Sequence, residues 1–204
     1  MIKIAIILGS TRPKRNGEAV AHWVYELAQQ RTDATFDLID LKEVDLPLLD
    51  EPESAITGRY VHAHTKAWSA RINAYDGFVL VTPEYNHGTC AALKNAIDFL
   101  YKEWNNKAAG FVAYGSFKGA RAVEQLRLIM AELQVATVRA QVGFALDRDF
   151  KDHTRFEPEP GHDKELTTML DQLVAWAGAL RTLRTSKAKE PLAPEPPRKV
   201  PMAA

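Results

Sequence analysis

Three short segments carry residue types able to bind an anion and a flat ring. The first is Gly9-Ser10-Thr11-Arg12-Pro13-Lys14-Arg15-Asn16-Gly17, which sets a hydroxyl and three cations among turn formers. A helix starting near Gly17 would present unpaired N–H groups and the positive end of its dipole, and arginine grips phosphate oxygens with two parallel bonds. A basic run alone is as readily a charged turn that caps a helix. Its place between a first buried strand and a first helix favours a phosphate cradle. The run contains neither Gly-x-x-x-x-Gly-Lys-Ser/Thr nor Gly-x-Gly-x-x-Gly, so it is neither a Walker loop nor the usual dinucleotide fingerprint.

The second segment, Pro83-Glu84-Tyr85-Asn86-His87-Gly88-Thr89, follows another aliphatic run. Pro83 and Gly88 predict a tight path, and Tyr85 offers a flat face with a polar tip. Backbone groups left outside regular structure there suit the edge of a planar heterocycle; a plain connecting turn with Tyr85 over the core is the alternative. The third, Tyr114-Gly115-Ser116-Phe117-Lys118-Gly119, has two glycines that let a ligand approach the backbone. It is not Gly-x-Ser-x-Gly, so a hydrolase elbow at Ser116 is not supported.

These segments need elements to hold them together. Ile2–Leu8 is nearly unbroken aliphatic, the pattern of a strand buried on both faces of a parallel sheet. Val20, Trp23, Val24 and Leu27 predict a helix from about Gly17 to Gln30. Further strands are predicted at Phe36–Leu41, Gly77–Thr82, Ala109–Tyr114 and Val138–Leu146. Helical spacing runs through Val61–Tyr75, Leu93–Tyr101, Val123–Leu133 and Leu166–Leu180, with Lys42–Gly58 as a loop. Five strands alternating with five helices predict a doubly wound parallel α/β sheet, whose ligands bind beyond the carboxyl ends of its strands. All three segments lie at such ends. From Thr185 the periodicity stops among prolines, so the chain divides into a domain over 1–184 and a flexible tail over 185–204.

Composition narrows the field. The 204 residues carry 26 Lys and Arg against 26 Asp and Glu, so no global charge draws the chain to nucleic acid or an anionic membrane. Ile2–Leu8 is too short to span a bilayer. One cysteine excludes an internal disulfide framework and fits a reducing, cytoplasmic setting.

Together the motifs resemble the NAD(P)H-dependent FMN reductases of the flavodoxin-like fold, which include quinone and azo reductases. The resemblance is carried by Gly9-Ser10-Thr11-Arg12, by Pro83-Glu84-Tyr85-Asn86-His87-Gly88 with Leu93-Lys94-Asn95-Ala96-Ile97-Asp98, and by Tyr114-Gly115-Ser116 with Gly119-Ala120-Arg121-Ala122. It covers about residues 2 to 146. It implies strand order 2-1-3-4-5, bound FMN, NAD(P)H as electron donor and a small-molecule acceptor such as free flavin, a quinone or an azo compound. Ser10, Arg12, Arg15, Asn16, Gly17 and Glu18 would hold the phosphate, Pro83, Glu84, Tyr85 and Asn86 would lie against the ring, and Ser116 would close the far side. A homodimer or homotetramer is implied as well, with Leu93, Leu100, Tyr101 and Trp104 as candidates for the subunit boundary. The chain departs from the family at Phe117-Lys118, where members often carry paired glycines, and at Cys90-Ala91-Ala92, where many have a proline.

The remaining candidates have plainer readings. His62 and His64, two apart in a helical segment, should point to different faces and make a poor metal pair. Cys90 reads as a small packing residue, and Trp68, Trp104 and Trp176 as core or interface. His87 either touches substrate or faces solvent. The rival functions are a flavodoxin-type electron carrier and a phosphate-binding α/β protein without flavin.

Overall fold

The computed structural model describes residues 1–187. Its centre is a five-stranded parallel sheet of β1 (Ile2–Leu8), β2 (Ala34–Asp40), β3 (Gly77–Pro83), β4 (Lys107–Gly115) and β5 (Val135–Ala145), in the order β2-β1-β3-β4-β5. This is the flavodoxin-like arrangement that the alternation and the resemblance predicted. Side chains alternate across it, as the two-residue period requires. Ile4, Ile6, Leu8, Val79 and Val81 pack on one face against α1 (Gly17–Ala28) and α6 (His162–Lys187). Ala5, Ile7, Phe78 and Leu80 pack on the other against α3 (Ala63–Asn73), α4 (Ala91–Asp98) and α5 (Ala120–Glu132). Strand order reverses between β1 and β3, which places a ligand crevice over their carboxyl ends.

Several expectations are corrected. The segment 42–58 is not wholly loop: α2 (Leu41–Val44) follows β2, capped by the Asp40 carboxylate accepting from the Lys42 N–H at 2.9 Å, and Ala55–Thr57 forms a 3₁₀ turn. A small antiparallel hairpin, β6 (Phe150–Lys151) with β7 (Arg155–Phe156), went unpredicted because two-residue strands carry no periodic signal. The last helix runs to Lys187, past the expected start of the tail at Thr185. The rest of the tail lies outside the described residues.

Leu93, Leu100 and Trp104, offered as subunit-boundary residues, are 1% exposed in the monomer core, with Tyr101 partly buried beside them. A hydrophobic stripe on a helix that lies on a sheet is claimed by that sheet first. Trp68 is likewise core, whereas Trp176 is exposed. His62 and His64 do share a face: the helix begins only at Ala63, and the extended backbone of His62 stacks its ring on His64 with centroids 5.2 Å apart. Cys90 is buried at the start of α4, where burial pushes its thiol pKa up, in keeping with a packing role.

Candidate functional site

Strand β1 ends at Leu8, and the Gly9 N–H donates to the Val81 carbonyl of β3 at 2.9 Å, which starts the first loop over the crevice. Ser10 is fully buried, its hydroxyl 3.2 Å from that of Tyr85. Arg12 and Lys14 are exposed cations. Arg15 has a different commitment from the one expected of it. Its guanidinium is only 5% exposed, forms a two-pronged pair with Asp40 and donates to the Ser10 carbonyl at 2.5 Å. Arg15 therefore ties the loop to the end of β2, which leaves Arg12 and Lys14 as the loop's unpaired cations among the described residues.

The loop ends on α1, whose N-terminus has no side-chain cap. Asn16, which stands there, donates through Nδ2 to the His153 carbonyl at 2.8 Å instead. Gly17 must be glycine for a packing reason: a Cβ would lie 2.5 Å from the Tyr114 hydroxyl and 3.0 Å from Leu8 Cδ1. Glu18 is exposed in the first turn, 3.8 Å from Arg15. Uncapped N–H groups at a helix start, with cations alongside, are features that favour an anion.

The second loop is narrower than its sequence suggested. Tyr85 and Gly88 exchange two backbone hydrogen bonds at 2.9 and 3.1 Å around Asn86 and His87, whose φ values are +49° and +72°. The left-handed positions thus fall on Asn86 and His87 rather than on Gly88, as in a tight hairpin turn. At Gly88 a Cβ would sit 2.8 Å from Gln125 Oε1, the end of a flexible side chain, so the Gln125 amide would have to shift to admit one. Among the described residues nothing accepts from the N–H of Asn86 or His87. Pro83 is buried, and Tyr85 is 37% exposed. The Glu84 carboxylate is buried, ion-paired with Arg121 and bonded to the Arg121 N–H at 3.1 Å, so it pins the start of α5 beside the third loop.

The third loop turns through Lys118 and Gly119, both at positive φ. Gly119 has no room for a Cβ, which would meet the Ala113 Cβ at 2.4 Å. Ser116 is exposed and borders a neighbouring hollow shared with Leu146, Asp147 and His153.

These parts converge on one cavity of about 180 Å³ at the switch point. Arg12, Lys14, Arg15 and Asn16 form one wall, and Pro83, Glu84, Tyr85, Tyr114 and Gly115 the next. Leu146, His153 and Thr154 form a third wall that sequence reasoning missed; only the turn formers after the fifth strand hinted at it. Tyr114 lines this cavity, but its hydroxyl is buried against Gly17, within reach of Ser10, and burial raises its pKa well above the ordinary tyrosine value. Among the described residues no group of three or more His, Cys, Asp or Glu could hold a metal ion, and no helix is long and apolar enough to cross a membrane.

Comparison with known proteins bears on the same region. The family model described as NADPH-dependent FMN reductase matches residues 2–149. An NAD(P)H-dependent FMN reductase of Schizosaccharomyces pombe is 40% identical over 149 residues, covering 72% of this chain and 74% of that protein. A 2-hydroxy-1,4-benzoquinone reductase of a Burkholderia species is 28% identical over 189 residues, covering 86% and 96%. Among solved structures, the flavoenzyme NAD(P)H:acceptor oxidoreductase FerB of Paracoccus denitrificans matches with a TM-score of 0.68 at 20% identity, over 88% of this chain and 98% of its own.

Proposed function

The chain belongs to the NADPH-dependent FMN reductase family, and from that premise we infer that its switch-point cavity holds the phosphate end of FMN. It is an NAD(P)H-dependent flavin oxidoreductase. Bound FMN supplies hydride acceptance from the nicotinamide and electron delivery to a second, small-molecule acceptor. The observation that carries the assignment of the site is the convergence on this cavity of the exposed cations Arg12 and Lys14 with the uncapped N-terminus of α1 at Asn16.

The side chains divide the work. Arg12 and Lys14 neutralise the phosphate, while the N–H groups at Gly17 and Glu18 and the amide of Asn16 supply neutral donors. Ser10 and Arg15 act mainly through the loop they fix. A volume of about 180 Å³ is below the size that encloses a whole drug-sized ligand, about 300 Å³ or more, so the flavin ring lies out on the rim. There Tyr85 offers a flat face and Asn86 and His87 offer free N–H groups to the ring edge. Ser116 borders the far side. The chemistry needs no acid or base from the protein, and no side chain is assigned one.

Assembly and location belong to the same reading. The exposed apolar residues Leu48, Leu49, Ile56 and Val61 support a homodimer or homotetramer, with light scattering as its check. The single cysteine and balanced charge support a cytoplasmic enzyme without nucleic-acid or membrane partners. Steady NADPH oxidation by the protein alone, with free flavin or a quinone as acceptor, tests the enzyme against the electron-carrier reading. A protein that turns over only when a separate reductase is added is a carrier.

A further inference from the structure

The β6–β7 hairpin begins just past residue 149, where the family match stops, yet it walls the cavity. It is firmly built. Phe150 packs near Tyr114 with centroids 6.0 Å apart, and Phe156 meets Phe144 edge to face at 4.9 Å. The buried Asp149 carboxylate accepts from the Ala145 and Glu159 N–H groups and from His162 Nε2, at 2.7, 2.9 and 2.9 Å. At the tip, Asp152 and His153 adopt φ of +53° and +57°, a turn that aims residue 153 at the first loop. The Asn16 amide joins the two at the His153 carbonyl.

The imidazole of His153 is oriented as well. Its Nδ1 lies 3.1 Å from the Leu146 carbonyl, which can only accept, so Nδ1 carries a proton. No described residue bonds to Nε2, and the ring borders the cavity that Arg12 and Lys14 share.

We propose that His153 is a further phosphate ligand of this site, its Nε2 donating to a phosphate oxygen of FMN, with the Thr154 hydroxyl beside it. The proposal rests on the reading that this cavity binds FMN. Because Nδ1 already bears a proton, Nε2 donates only after taking a second from solvent, so binding is coupled to proton uptake. The surroundings pull both ways. Arg12, Lys14 and Arg15 oppose that proton in the free site, Arg15 least because it is paired with Asp40. Asp147, Asp152 and Glu157 near the hairpin favour it, against Arg148 and Lys151. Glu84 is held by Arg121, and Tyr85 and Tyr114 present hydroxyls. The bound dianion tips the balance toward the charged ring.

The test titrates flavin-free full-length protein with FMN and with riboflavin, by flavin fluorescence and by calorimetry in buffers of different ionisation enthalpy. His153→Asn keeps a residue that tolerates positive φ while removing the ring. It should weaken FMN binding about tenfold, leave riboflavin binding unchanged and lower the proton uptake on FMN binding. His153→Lys should retain the FMN preference and lose that uptake; lysine already occupies positive φ at Lys14 and Lys118. Unchanged FMN affinity and proton uptake in His153→Asn, or equal losses for FMN and riboflavin, would overturn the proposal while leaving the FMN site intact. Wild-type protein with no affinity for FMN would instead overturn the assignment of the cavity, and the proposal with it.

Discussion

Ser10 and Tyr85, 75 residues apart in sequence, meet hydroxyl to hydroxyl at 3.2 Å. Because β1 and β3 are adjacent in the sheet, this contact makes one rim of two loops. It also fixes the polar tip of Tyr85 and leaves part of its ring open to solvent, as a surface for stacking a flat ligand requires.

In the proposed site Arg12 reads phosphate. Arg12→Ala should weaken FMN binding by roughly ten- to hundredfold, from the loss of a charge-assisted bond, and should leave riboflavin binding nearly unchanged. Fluorescence titrations of the two flavins check this, and equal losses contradict it. Arg15→Ala should behave differently, lowering the melting temperature as well, because it abandons Asp40.

Gly17→Ala should destabilise the protein. Its Cβ would press on the Tyr114 hydroxyl at 2.5 Å, an overpacking that costs about 1–3 kcal/mol. Combining it with Tyr114→Phe should recover part of the loss in thermal melts. An unchanged melting temperature in the single variant would show that the ring yields freely.

Much of this was legible in the sequence, for identifiable reasons. Ile2–Leu8 and Gly77–Pro83 are buried on both faces, so their aliphatic runs mark central parallel strands. Two of the site loops needed only the turn formers and cations that follow those strands. The third wall was hidden because β6 and β7 have two residues each and owe their position to the buried Asp149–His162 pair. Sequence also could not tell a free arginine from a paired one: Arg12 and Arg15 look alike until Asp40 is brought beside the second. Leu93 and Trp104 were ambiguous in the same way, since a helix stripe does not name the surface that buries it.

Lys107, at the opposite end of the sheet, sets a pH dependence of stability. It is 1% exposed and donates to the Ile72 carbonyl at 2.8 Å. Burial lowers its ammonium pKa to about 7, with Arg184 adding to the effect and Asp76 opposing it. Between about pH 7 and the ordinary lysine value near 10.4, the unfolded chain binds a proton that the folded chain does not. Stability should therefore rise with pH across that window, by at most about 1.4 kcal/mol per unit, and the cost of burying the charge is complete below it. Lys107→Met should flatten this slope in denaturant titrations at pH 7 and pH 9, and a wild-type slope that persists in the variant contradicts the account.

Truncation after Lys187 should leave FMN affinity and NAD(P)H oxidation unchanged, because the residues lining the cavity run from Arg12 to Thr154. A several-fold shift in nicotinamide KM would make the removed segment part of the site.

The central claim is that this cavity holds FMN and that NAD(P)H reduces it there. The visible spectrum of the purified protein, loaded with FMN and then mixed anaerobically with NADPH or NADH, tests both halves at once. The account predicts a yellow protein with bound-flavin absorbance that bleaches on adding the nicotinamide and recovers when an acceptor such as a quinone is supplied. A colourless protein that takes up no FMN, or bound flavin that neither nicotinamide bleaches, would contradict it.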